Sequence, residues 1–186
     1  MNIRDLALKK FFLFQVVVLC VVTLVILGVF LTMNSRMSAI QAEQIQEVTL
    51  RDFLGQKYAD HLNWLTALRK HIYEGKPFDK ALDPTKCDFG KWYYGHKPHS
   101  DAESRIYRDI EDPHRKLHES GAESIKLADS AKKREILLSV AEPKVAVIRD
   151  HFEEYKALLS SEVDRNYQHM NSLGRSMQYL VGLLLF

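Results

Sequence analysis

The chain has 186 residues, 26 Lys plus Arg against 24 Asp plus Glu, a net charge of +2, five prolines, eight glycines and two cysteines. So balanced a charge excludes an electrostatic case for DNA or RNA binding, and no nucleic acid is expected as a partner. The Pro and Gly content excludes collagenous and low-complexity classes, two cysteines cannot build a disulfide scaffold, and the length suits one domain with membrane segments.

The first element is an apolar run over 11–33, interrupted only by Gln15, Thr23, Gly28 and Thr32 and by no charge. At 1.5 Å per residue it spans about 34 Å, enough to cross the hydrocarbon core. It is longer than a signal-peptide core, and its exit is poor for cleavage. The run therefore predicts a retained transmembrane helix. Arg4, Lys9 and Lys10 precede it and basic residues are sparser after it, which points the N-terminus to the cytoplasm and the rest outward.

From 35 to 75 apolar residues recur at helical spacing: Ile45, Val48, Phe53, Leu54, Tyr58, Leu62, Leu65 and Leu68. Gly75-Lys76-Pro77 stops this helix. The stretch 78–100 reads as irregular. A second helix is expected over 101–128, broken or restarted at Asp112-Pro113, and a third over 131–141. Pro143 can open a fourth at its first turn, running to about residue 172. No period-2 alternation is present. The expected fold is all-α: an antiparallel four-helix bundle after the transmembrane helix. The apolar run 177–186 is expected to begin a second transmembrane helix, cut by the limit of the chain. The expected division is 11–33 transmembrane, 34–176 extracytoplasmic sensor domain and 177–186 second transmembrane start. Such a sensor needs a downstream signalling domain, which this sequence does not contain.

The chemistry concentrates on Cys87. An unpaired thiol in an oxidising compartment oxidises unless it is buried or metal-bound, and Cys20, inside the apolar run, cannot reach it. His114 and His118 stand at i and i+4 on the second helix, with both imidazoles on one face. His61 lies on the apolar face of the first helix with Tyr58, Leu65 and Leu68. Three imidazoles and one thiolate make the donor count of a closed tetrahedral zinc site. His96 and His99 are alternative ligands from the loop. Trp64 and Trp92 read as core, and Asp60 or Glu111 as acceptors for a ligand imidazole.

The set Tyr58-Ala59-Asp60-His61-Leu62-x-Trp64, then Cys87-x-Phe89-Gly90-x-Trp92, then Pro113-His114-x-x-x-His118 resembles the chemoreceptor zinc-binding (CZB) domain family, over 56–127. The resemblance implies a small four-helix bundle holding one zinc ion through His61, Cys87, His114 and His118. It also implies a place in bacterial methyl-accepting chemotaxis receptors or diguanylate cyclases, sensing zinc or, through Cys87 as a redox switch, oxidants such as hypochlorous acid. Layout and resemblance together predict an inner-membrane receptor working as a homodimer, with its sensor domain in the periplasm. The competing reading is a small-molecule sensor in which zinc is only structural. Catalysis is not expected: a zinc protease helix needs Glu directly after the first histidine, and here Arg115 stands there.

Overall fold

The computed structural model describes residues 3–185, with side chains for 8–180 and residue 182. It is all-α, with no strand among the described residues. The helices are α1 (Ile3–Glu74), α2 (Asp88–Tyr93), α3 (Asp101–Lys126), α4 (Ser130–Ile136) and α5 (Glu142–Leu185), with a π-helical turn, Leu137–Ala141, between the last two. The chain divides into two compact units: one made of the chain ends, up to Gln46 and from Asp164 on, the other Glu47–Val163.

In the first unit, α1 carries the apolar run, long and apolar enough to cross a membrane. Its large side chains are exposed, Phe12 and Leu19 among them. Thr23 and Thr32 turn their hydroxyls back onto the carbonyls of Leu19 and Val29, both at 2.8 Å, so neither polar group needs water. The C-terminal apolar run is helical through Leu185; the last residue of the expected second transmembrane start, Phe186, lies outside the described residues.

In the second unit, three helices bury one stripe each. α1 contributes Leu54, Trp64, Leu65, Leu68 and Ile72; α3 contributes Ile106, Ile110 and Leu117; α5 contributes Val145, Ile148, Phe152, Tyr155 and Leu159. The spacings of three and four residues keep each set on one face. Leu62, counted in the apolar pattern of α1, is instead exposed. α1 ends at Gly75, whose φ of +69° is the left-handed conformation glycine adopts without strain, and Lys76 N–H reaches back to the Lys70 carbonyl.

Four expectations are corrected. α3 does not break at Asp112-Pro113, because Pro113 is itself buried, and its neighbours Ile110, His114, Leu117 and His118 are buried on one continuous face. That burial outweighs the roughly 3 kcal/mol a helix-interior proline costs. The third and fourth helices form one helical run instead of two. Pro143 has no N–H and its ring would clash with the carbonyl four residues back; a π-turn precedes it, in which Glu142 N–H donates to the Leu137 carbonyl. α5 then continues well past 172. Finally, 78–100 is not wholly irregular, since it contains α2, capped by Cys87.

Candidate metal centre

His61, Cys87, His114 and His118 come together in the second unit, each offering a ligand atom, and these atoms all lie within 4.8 Å of one another. His61, His114 and His118 are buried and Cys87 is half-buried. They arrive from three segments: α1, the cap of α2, and two adjacent turns of α3.

Hydrogen bonds decide how the imidazoles face. His61 Nδ1 lies 2.6 Å from the Lys57 carbonyl, and His118 Nδ1 lies 3.0 Å from the Ala81 carbonyl. A carbonyl only accepts, so Nδ1 carries the proton in both rings and Nε2 keeps its lone pair. Both of these Nε2 atoms are buried without a hydrogen-bond partner among the described residues. His114 Nε2 is 3.3 Å from Cys87 Sγ. Two donors on a tetrahedral zinc lie about 3.5 Å apart, so the spacing suits a shared ion. Orphaned buried lone pairs are costly, and a metal ion satisfies them.

The Cys87-x-Phe89-Gly90-x-Trp92 segment has a local explanation. Cys87 Sγ caps α2 by accepting from Gly90 N–H at 3.1 Å, and the thiol lies 3.4 Å from the Pro84 carbonyl. A Cβ at Gly90 would fall 1.8 Å from Pro84 O, so only glycine lets the strand of loop before Cys87 lie against α2. Phe89 walls the site, edge-on to His114 at 4.9 Å and to His61 at 5.9 Å. Trp92 packs on Phe53 and Phe89.

Burial sets the protonation of the cluster. It pushes His61 below the usual imidazole range, His118 down to about 4 and His114 down to about 2, helped in the last two by the neighbouring imidazoles. Burial pushes the Cys87 thiol up, against the opposing pull of the Gly90 and Phe89 amides. Three neutral imidazoles and a thiol form a cluster that could take a metal cation by giving up one proton.

Other expectations meet different outcomes. Trp64 is core, and its Nε1–H donates to Ala81 O at 2.7 Å. Asp60 is not an acceptor for His61, because it is engaged by Gln56 and Lys57; Glu111 is exposed. The acceptors are the backbone carbonyls of Lys57 and Ala81. His96 and His99 stand with Glu103, not in the Cys87 cluster. Arg115 bonds Asp112 and Glu119. Ala81 carries no signal in the sequence, since every residue has a carbonyl. Gly121, against which the Trp64 ring lies, had a signal only as a glycine inside a helix.

The fold and the cluster define a helical domain in which one cysteine and three histidines offer ligand atoms that could hold a metal ion. Residues 61–125 match the family model of the chemoreceptor zinc-binding domain. The chain thus carries a domain of this zinc-binding, chemoreceptor-type sensor family, with zinc as its cofactor. No curated protein and no solved structure was found to match the chain.

Proposed function

We propose that the chain is the zinc-binding sensor region of a bacterial transmembrane chemoreceptor or related signal transducer, with His61, Cys87, His114 and His118 as the zinc ligands. The observation that carries this reading is the convergence of the four donor atoms within 4.8 Å, with the Nε2 lone pairs of His61 and His118 buried and otherwise unpartnered among the described residues. Zinc bound there supplies a fixed positive charge that joins four side chains at one point.

The chain's own residues make this a switch. His61 sits on α1, the helix that also carries the apolar run. Cys87 sits on the loop at α2, and His114 and His118 on α3. Losing any one donor loosens three segments together. Oxidation is one route: a cysteine thiolate and hypochlorous acid give sulfenic acid and chloride, and the sulfur donor is lost. Low free zinc is another. Each route biases the same two-state element.

The wider assignment is 11–33 as a transmembrane helix, 34–176 as the helical sensor domain in the periplasm, and 177–186 as the start of a second transmembrane helix. The protein works as a homodimer in the inner membrane. The exposed apolar side chains of α1 and the basic residues before them support the membrane part.

The test is zinc stoichiometry of the full chain in detergent micelles by native mass spectrometry, beside Cys87→Ser and His114→Ala. One tightly held zinc per chain, weakened in both variants, is expected. Tight zinc indifferent to both substitutions overturns the ligand set.

A further inference from the structure

A second cluster of donors lies outside the Cys87 centre. His96 follows α2, with its N–H on the Trp92 carbonyl at 2.9 Å. His99 precedes Ser100, the cap of α3, and Glu103 lies in the first turn of that helix. His96 Nε2 is 2.9 Å from Glu103 Oε1, and His99 Nδ1 is 3.6 Å from Glu103 Oε2. The three ligand atoms lie within 4.8 Å of one another.

Three features separate this cluster from an ordinary surface ion pair. The Glu103 side chain is only 8% exposed, although carboxylates are seldom buried without charge compensation. Burial pushes its carboxyl up, yet the His99 amide, the Tyr155 hydroxyl and His96 together hold it below the usual range, so a negative charge is kept inside the fold. The ion pairs Glu103 makes are with these two imidazoles, which are cations only when protonated. Second, His96 is held in place: its ring stacks on Trp92 at 4.4 Å and 25°, and Tyr155 donates to Glu103 beside it. Third, the His99 side chain is 85% exposed, which leaves an approach path from solvent.

We propose that His96, His99 and Glu103 form a second divalent-cation site, taking a borderline ion such as zinc through two imidazoles and one carboxylate. Binding takes the place of the hydrogen bond between His96 Nε2 and Glu103 Oε1. Without a thiolate and with three protein donors, the site keeps positions for water and binds more weakly than the Cys87 centre. The two sites share no residue, so the domain would respond to zinc in two concentration ranges.

The experiment is equilibrium dialysis of the full chain in detergent micelles against zinc up to the millimolar range, with metal per chain counted by mass spectrometry. The wild type is expected to take two equivalents, the second more weakly held than the first. His99→Ala, a change at an exposed side chain, and Glu103→Gln, which keeps the size, should each abolish the second step and leave the first. Cys87→Ser should weaken the first and leave the second. Cobalt(II) gives an independent reading, because sulfur-to-cobalt charge transfer belongs to the first equivalent alone. Saturation of the wild type at one equivalent, or a second step that survives both His99→Ala and Glu103→Gln, overturns the second site. A first step unmoved by Cys87→Ser would instead overturn the ligand set of the Cys87 centre.

Discussion

Trp64 and His118 share one acceptor: the indole Nε1–H and the imidazole Nδ1–H both donate to the Ala81 carbonyl, at 2.7 and 3.0 Å. One core residue of α1 and one imidazole of the His/Cys cluster on α3 are thus tied to the same point of the 78–87 loop. Gly121 makes room for the arrangement, since a Cβ there would lie 2.5 Å from the Trp64 ring. Gly121→Ala is therefore expected to destabilise the zinc-free chain by about 1–3 kcal/mol. Trp64→Phe keeps an aromatic ring but drops the N–H, at a cost of roughly 1 kcal/mol for the hydrogen bond, plus a packing loss. Urea unfolding measures both. A Gly121→Ala chain as stable as wild type would mean that the ring does not lie there.

Gly90 is the second position where backbone approach leaves no room. The Pro84 carbonyl occupies the space of its Cβ. Gly90→Ala must push the loop away from α2 and drag Cys87 with it. We expect helix content to change little and zinc affinity to drop at least tenfold, about 1.4 kcal/mol. Competition with a chromogenic chelator, read beside far-UV circular dichroism, checks this. Unchanged affinity would show that the loop can retreat without moving the thiol.

Zinc uptake should release about one proton per ion near pH 7. The source is Cys87, whose thiol burial keeps protonated, whereas His61, His114 and His118 are already neutral. Affinity should accordingly rise about tenfold per pH unit between pH 7 and the thiol's raised pKa. Calorimetry in two buffers of different ionisation enthalpy counts the protons. Release of three or four protons would mean that the imidazoles are charged before the metal arrives.

Acid should unfold the zinc-free domain early. The three imidazoles have folded pKa values below the ordinary unfolded one, near 6.5 for His. Above that value neither state is protonated and their neutrality costs nothing. As pH falls below it, the unfolded chain gains protons that the folded cluster refuses. Each histidine then withdraws about 1.4 kcal/mol per pH unit, until its own folded pKa is reached, about 4 for His118 and about 2 for His114. Urea midpoints at pH 7.5, 6 and 5 should decline steeply over the last interval. A flat profile would show that the cluster accepts protons without opening.

Much of this centre was legible before folding. His114 and His118 are one turn apart on any helix, and His61 shares its stripe with Leu65 and Leu68, because helical periodicity is a local property of the chain. The break expected at Pro113 and the separate helix expected at Pro143 do not form, for the complementary reason. A proline's local cost is written in the sequence, while the burial that outweighs it in α3, and the π-turn that absorbs it before α5, depend on neighbours distant along the chain.

The amino-acid sequence alone determined the helical class, the membrane-length apolar run and the donor types, since composition and short-range spacing suffice for each. The tertiary structure decided which nitrogen of each ring faces the cluster. It also decided that Ala81, 37 residues before His118, supplies the orienting carbonyl, and that His96 and His99 stand with Glu103 and not with Cys87. Those choices rest on hydrogen bonds to backbone carbonyls and on buried charge, and such partners meet only when the chain is folded.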